Sequence, residues 1–288
     1  MLQENIQPEK GKILYELHHN GKLLILPNVW ESLGATMLEN IGYPAVATSS
    51  SAVAFSNGYD DGEKLPFNDL LNILRKIVHS VNVPVTADIE SGYAKNNTTL
   101  AENIKKLINT GISGINFEDS YHDEQKLISV DEQCEKIFLI KKTASEMGMS
   151  LFLNARTDSY IKNSHLPDKE KLFQTIQRGK AYKEAGADCL YPITLKNRKD
   201  YETIIKEVGL PVNILLLSGI PGFSELKEAG VARLSLGGNF IKFVIGKMKN
   251  AAEELLNFNG MDEITNSSVT TDYLNKLISK KQDDDKKN

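Results

Sequence analysis

The stretch VTADIESGYAKNNTTLAENIKKLINTGISGINFED, residues 85–119, contains one complete unit of the predicted fold. Its two ends, residues 85–89 and 114–117, are short apolar runs of the kind that form buried β-strands. Between them, Asn97 and the two threonines after it are N-cap residues that precede an apolar stripe, and Gly111 suits the left-handed residue that ends a helix. The stretch therefore predicts two parallel strands joined by a helix.

The same alternation recurs along the chain. Short apolar, β-branched runs precede helical segments at residues 23–27, 45–48, 85–89, 114–117, 151–155, 189–193, 212–217 and 233–236. Eight parallel strands close into a barrel of about 250 residues, which suits a chain of 288. We expect an α/β fold, a (β/α)8 TIM-type barrel over residues 1–260. Residues 261–288 are expected to add a C-terminal helical extension and a disordered charged tail.

Composition narrows the classes of function. A hydrophobic fraction of 41% and a charged fraction of 25% are typical of a globular protein. The formal net charge of -4 leaves no positive field for a nucleic acid backbone. No apolar stretch approaches the roughly 18 residues of a membrane helix, and the first residues lack the pattern of a secretory signal. We expect a cytoplasmic protein that binds neither nucleic acid nor membrane.

The two cysteines, Cys134 and Cys189, lie far apart and outside any CxxC motif, so they predict neither a disulfide framework nor a zinc site. Cys189 lies within an apolar run and is expected to be a core residue rather than a nucleophile. The five histidines, including His122 and His165, form no ligand pair such as HxxxH.

Acidic residues gather where the predicted strands end, which is where the active site of a parallel barrel forms. The period of two along a strand is expected to aim Asp88 and Glu90 into the same mouth. Converging carboxylates repel each other unless a cation lies among them, and an all-oxygen set favours Mg²⁺, with Mn²⁺ as a substitute. The alternative is that each carboxylate caps a helix or pairs with Arg156. Arg156 has the fork geometry to bind a carboxylate or phosphonate, and a salt bridge to Glu118 is its structural alternative.

Six segments together resemble the isocitrate lyase/phosphoenolpyruvate mutase superfamily in order and spacing. They are NVWESL at 28–33, ATSSS at 47–51, GYDD at 58–61, VTADIESGY at 85–93, GINFED at 114–119 and ARTD at 155–158. The resemblance implies a barrel that binds Mg²⁺ and a small carboxylic acid and that forms an enolate-like intermediate. It also implies a homo-oligomer, a tetramer built from dimers, in which the segment 270–280 is exchanged between subunits.

The resemblance assigns roles to residues position by position. Asp88 falls at the principal metal ligand, and Asp61, Glu90 and Glu118 fall in the surrounding acidic shell. The resulting assignment is Asp88, Glu90 and Glu118 for the metal, Arg156, Asp61 and Glu118 for catalysis, and Trp30, Ser49, Ser50, Ser51 and Arg156 for the substrate.

Three features depart from the superfamily pattern. The lyases for isocitrate and methylisocitrate carry a Lys-Lys-Cys-Gly-His loop after the fourth strand, whose cysteine is an acid, whereas residues 120–129 here are SYHDEQKLIS. Glu90 stands where many members have Asp. The mobile loop is shorter than in the phosphonate mutase.

The expected function is that of a Mg²⁺-dependent lyase that cleaves a C–C bond of a small 2-oxo or 2-hydroxy acid through a metal-stabilised enolate. Two alternatives remain open. One is a P–C bond mutase or hydrolase for phosphonopyruvate-like substrates, and the other is a non-catalytic barrel that binds a metabolite.

Overall fold

The computed structural model of the chain describes residues 6–122, 124 and 126–285. The strands are β1 (Leu24–Leu26), β2 (Asn28–Val29), β3 (Val46–Thr48), β4 (Val85–Asp88), β5 (Gly114–Glu118), β6 (Phe152–Thr157), β7 (Cys189–Pro192), β8 (Asn213–Leu215) and β9 (Arg233–Ser235). The helices are α1 (Ile6–His19), α2 (Ser32–Ile41), α3 (Ser50–Ser56), α4 (Phe67–Ser80), α5 (Asn97–Ile108), α6 (Val130–Glu146), α7 (Ser159–Lys162), α8 (Asp168–Glu184), α9 (Arg198–Val208), α10 (Phe223–Glu228), α11 (Asn239–Leu256), α12 (Met261–Thr265) and α13 (Thr271–Asp285).

All strand pairs are parallel, in the orders β2-β3-β4-β5-β6-β7 and β1-β9-β8. Two connections join these groups into a ring. Only Pro27 separates β1 from β2, and a parallel bridge between Leu190 and Val212 joins β7 to β8. The predicted (β/α)8 architecture is confirmed, and each predicted apolar run contains one position of the ring.

The main core lies between the ring and its helices, since the apolar stripe of each amphipathic helix turns toward the strands. Helix α4, for example, buries Leu70, Leu71, Leu74 and Ile77. A second, smaller cluster fills the amino-terminal end of the barrel and includes Leu14 of α1 and Cys189. Cys189 is fully buried, which confirms its predicted place in the core.

Helix α1 covers the amino-terminal end of the barrel at close range. A Cβ atom added to Gly11 would lie 1.9 Å from the carbonyl oxygen of Ser150, just before β6. No real side chain tolerates that distance, so only glycine permits this approach. With the amino-terminal end filled, the open mouth of the barrel is at the carboxyl ends of the strands.

The C-terminal helix α13 packs on α2 of the same chain, and its Leu277 is almost completely buried. The helix continues to Asp285, farther into the charged segment 280–288 than the sequence predicted, and residues 286–288 lie outside the described part. Exchange of the segment 270–280 between subunits stays a prediction. Within the described residues, no helix combines the length and apolar character needed to cross a membrane.

Candidate active site

A cavity of about 340 Å³ opens at the carboxyl ends of the strands. Most of the predicted site residues meet there, although they come from four separate segments of the chain. Those that line the cavity are Ser49, Ser50, Ser51, Asp61, Asp88 and Arg156. The location agrees with the rule that places the active sites of parallel barrels at this end.

Asp88 is the last residue of β4, and hydrogen bonds fix both oxygens of its carboxylate. Oδ1 accepts from Nδ2 of Asn116 at 2.8 Å, and Oδ2 accepts from the backbone N–H of Ser50 at 3.0 Å. Asn116 in turn accepts from Asn154 at 2.9 Å. The three residues are register partners on β4, β5 and β6, so the pairing of the strands itself orients the carboxylate.

The three serines lie where β3 passes into α3. Ser49 is the N-cap of α3, and its side chain accepts a hydrogen bond from the N–H of Ala52. The hydroxyl oxygens of Ser49 and Ser51 are 3.0 Å apart. A Cβ atom added to Gly238 would lie 2.6 Å from Oγ of Ser51, so the loop after β9 approaches these hydroxyls as closely as glycine allows.

Arg156 lies on β6 opposite Glu118 on β5. Its Nη1 is 2.8 Å from Oε2 of Glu118, and its Nε and Nη2 donate to the two carboxylate oxygens of Asp158 at 2.7 and 3.2 Å. The salt bridge that the sequence offered as the structural alternative is therefore formed. Burial alone would lower the pKa of Arg156, but Asp158 and Glu118 outweigh it and raise that pKa. The guanidinium stays charged at the cavity wall.

Glu90 does not point into the cavity, contrary to the expectation from strand geometry. The reason is that β4 ends at Asp88 and Glu90 adopts a positive φ of 54°, which turns its side chain away. Its Oε2 lies 2.8 Å from Nε2 of His122, a residue of the loop after β5. The same imidazole nitrogen is 3.4 Å from Oε1 of Glu118. Glu90 and Glu118 thus form a buried layer behind the cavity wall, with His122 between them.

The two glutamates and His122 share an unusual electrostatic environment. Burial raises the pKa of Glu90, and it raises the pKa of Glu118 well above its ordinary value despite the nearby Arg156. Burial also opposes protonation of His122, but the carboxylate of Glu90 at 2.8 Å and the charge of Glu118 outweigh it and raise the pKa of His122 to about 9. This layer accordingly holds a proton on the imidazole at neutral pH.

The cavity itself keeps a pair of carboxylates, Asp61 and Asp88. Asp61 lies at the rim, where partial burial and the charge of Asp88 raise its pKa. Within the described ranges, no group of three or more His, Cys, Asp or Glu side chains is arranged around a metal position. A Mg²⁺ ion needs less, because it usually keeps several waters and binds through one or two carboxylates. Two carboxylates that repel each other, with no His or Cys among the described residues of the cavity lining, fit such an ion.

Trp30 lies beside the site rather than in it. Its ring packs edge-on against Phe240, with 6.2 Å between ring centroids, and it does not line the cavity. Sequence reasoning missed several residues that do line it, among them Asn28, Tyr191 and Arg233. Asn28 belongs to the motif NVWESL at 28–33, and Arg233 is the first residue of the predicted strand 233–236. A polar residue in or beside an apolar run was the signal that could have identified both.

The sequence profile of phosphoenolpyruvate phosphomutase matches residues 14–256. The chain belongs to this family. It is 31% identical over 223 residues to an uncharacterized protein of Mycobacterium tuberculosis H37Rv, covering 77% of this chain and 81% of that protein. It is 24% identical over 217 residues to 2-methylisocitrate lyase of Halalkalibacterium halodurans, covering 73% and 68%.

Solved structures of the phosphoenolpyruvate mutase/isocitrate lyase superfamily have the same fold. A Burkholderia cenocepacia J2315 protein, provisionally described as a phosphonomutase, superposes with a TM-score of 0.82 at 34% identity, over 86% of this chain and 98% of that one. Phosphonopyruvate hydrolase, solved with oxalate and Mg²⁺, superposes with a TM-score of 0.81 over 95% and 96% of the two chains. Its identity of 20% shows the fold alone. The sequence relatives of this chain thus include 2-methylisocitrate lyase, which supports an enzyme.

Proposed function

We propose that this protein is a Mg²⁺-dependent lyase that cleaves a C–C bond of a small 2-oxo or 2-hydroxy acid and passes through an enolate. The observation that supports the proposal is the placement of Asp61 and Asp88 in the same cavity as the guanidinium of Arg156. An ion held by the two aspartates would supply Lewis-acid stabilisation of negative charge on the 2-oxo oxygen.

Arg156 is suited to bind the substrate carboxylate. A guanidinium has five N–H groups, and three nitrogens of Arg156 each already face Glu118 or Asp158. The two N–H groups left over can donate to a carboxylate, while the acidic partners hold the guanidinium in place. Ser49 and Ser51 line the same cavity, and since one of their hydroxyls donates to the other, the proton of the second hydroxyl is left for the substrate. Donors that are already held in place contribute to catalysis in two ways. They position the substrate, and they stabilise developing negative charge without having to reorient during the reaction.

The proton chemistry of the cavity favours some substrates over others. Within the described residues, no Cys or His lines it; Cys134 lies on α6 and His122 faces the two glutamates. Tyr191 lines the cavity, but burial raises the pKa of its phenol, which makes it a weak proton donor. Cleavage of isocitrate leaves a carbanion that needs a well-placed acid, whereas fragments that leave as CO₂ or as a stabilised acid derivative make less demand for one. We therefore favour oxaloacetate-like substrates.

A second candidate is cleavage of a P–C bond in a phosphonopyruvate-like substrate. It is favoured by the 34% identity to the Burkholderia protein provisionally described as a phosphonomutase. The guanidinium of Arg156 suits a phosphonate as well as a carboxylate.

The test is a panel of substrates offered to the purified protein with excess Mg²⁺ at one enzyme concentration. Oxaloacetate and phosphonopyruvate are followed by pyruvate formation, phosphonopyruvate also by phosphate release, alkylated oxaloacetates by the correspondingly longer 2-oxo acid, and isocitrate by glyoxylate. We expect pyruvate from oxaloacetate, the longer 2-oxo acids from its alkylated forms, and negligible glyoxylate. Release of phosphate from phosphonopyruvate, with no pyruvate formed from oxaloacetate, would favour the second candidate. Efficient cleavage of isocitrate would contradict the reasoning about the acid, and no turnover of any compound would favour a metabolite-binding barrel.

A further inference from the structure

A second arginine lies in the same cavity and forms no ion pair with any acidic residue that the structure describes. Arg233 opens β9, is 2% exposed and lines the cavity wall. Its Nε donates to Oγ of Ser235 at 2.9 Å, but its Nη1 has no hydrogen-bond partner within the described part of the chain. Among the residues the structure describes, no carboxylate forms an ion pair with it.

Two other arginines in the interior have the acidic partners that Arg233 lacks among the described residues. Arg156 pairs with Glu118 and Asp158, and Arg178 lies 3.2 Å from Asp119. Burial of an unpaired charge is costly, so a buried cation is normally paired. Burial lowers the pKa of Arg233, while acidic neighbours keep the pKa of Arg156 raised. An anion brought by a ligand would supply the counter-charge that the chain does not.

The guanidinium of Arg233 is also held in place for such an anion. Ser235 Oγ, which accepts from Nε, donates its own proton to Oδ1 of Asn213 at 3.0 Å. Arg233 and Ser235 both line the cavity, as the period of two along β9 requires. The strand β9 closes the ring between β1 and β8, whereas Arg156 is on β6. The two arginines therefore face the same small cavity from separate strands.

We propose that Arg233 is a specificity-determining residue that binds the second anionic group of a diacid, with the first carboxylate at Arg156. This inference rests on the proposed function for the place of the first carboxylate. The second group is a carboxylate or a phosphonate, two anions that a guanidinium binds in the same way. Compounds with a single anionic end would leave Arg233 unpaired and should bind more weakly.

The test measures binding, so it does not depend on turnover. Calorimetry with Mg²⁺ present compares oxalate, whose two carboxylates are bonded directly to each other, with 3,3-difluorooxaloacetate and phosphonopyruvate, in which two carbons separate the two anionic groups. In Arg233→Gln, we expect the longer compounds to lose affinity by about 10- to 100-fold, the range for a hydrogen bond to a charged group, and oxalate by less than about threefold. A larger loss of affinity for difluorooxaloacetate would identify the second anion as a carboxylate, and a larger loss for phosphonopyruvate would identify it as a phosphonate. Equal losses for all three compounds, or no loss, would overturn the proposal.

A matched variant and a matched ligand complete the design. Lys247→Gln removes one positive charge from α11, outside the cavity lining, and should leave all three affinities unchanged. If Arg233→Gln fails to fold, the unaltered protein is tested with 3,3-difluoro-2-oxobutyrate, which lacks the second carboxylate. That compound should bind about 10- to 100-fold more weakly than difluorooxaloacetate; equal affinity would overturn the inference. Selective loss in a protein that turns over no 2-oxo acid would refute the proposed function alone.

Discussion

Replacement of His122 by glutamine should change how the stability of the metal-free protein depends on pH. His122 lies 2.8 Å from Glu90 and 3.4 Å from Glu118, and its pKa is raised from 6.5 to about 9. Because the folded-state pKa lies above the unfolded one, this stabilisation is fully present below about pH 6.5. It is lost as the pH rises through about 9.

The size of the effect follows from that rise in pKa. Each step of one in pKa corresponds to about 1.4 kcal/mol, so the full rise would give about 3 kcal/mol. The side chain of His122 is 24% exposed, and Glu90 has a raised pKa of its own, so it shares the proton. Solvent screening and this sharing reduce the expected contribution to about 1–2 kcal/mol.

The assay is urea unfolding with a chelator present, at several values between pH 6 and pH 9.5. The difference in free energy of unfolding between wild type and His122→Gln should shrink by about 1–2 kcal/mol across this range. Glu90→Gln keeps the shape of the partner of His122 but removes its charge. When His122→Gln is introduced into the Glu90→Gln protein, the difference in free energy of unfolding should therefore depend much less on pH. A difference that stays constant with pH, or that grows as the pH rises, would refute the reasoning.

Three further predictions concern packing and assembly. Gly11→Ala should lower the free energy of unfolding by about 1–3 kcal/mol in urea, because its Cβ would overlap backbone, whereas Gly246→Ala, which meets nothing within 4 Å, should be neutral or stabilising. Arg178→Met leaves Asp119 buried without its cation and should cost about 3–5 kcal/mol by the same measurement; a loss below about 1 kcal/mol would contradict this. We expect a homotetramer by light scattering, weakened by truncation before Thr270, and a full-length monomer at micromolar concentration would count against helix exchange.

The barrel could be predicted from sequence because its signals are local. Each strand is a short apolar run, and Ala-Gly punctuation such as Ala185-Gly186 marks where a helix gives way to the next strand. Positions at the strand ends followed from the fold, which is why Asp88 and Arg156 were found. These inferences needed no knowledge of which segments meet across the ring.

The rest of the site depends on contacts between distant segments. The positive φ of Glu90 turns its side chain, and the carboxylate then accepts a hydrogen bond from the backbone N–H of Glu63 at 3.0 Å and contacts His122. The alternation of residues along a strand predicts none of these features. His122 was passed over because a search for paired histidines does not reveal a histidine between two glutamates. Arg233 was missed because only closure of the barrel shows that it is buried with no counter-ion among the described residues.

The measurement that tests the central claim most directly is pyruvate release from oxaloacetate as Mg²⁺ is removed and returned. In wild type, the activity should vanish with a chelator and return with Mg²⁺ or Mn²⁺. Asp88→Ala should lower the rate by several orders of magnitude, and Glu90→Ala, a residue behind the cavity wall, by about 10- to 100-fold. Equal activity of Asp88→Ala and wild type, or full activity in excess chelator, would contradict a metal-dependent site at this end of the barrel.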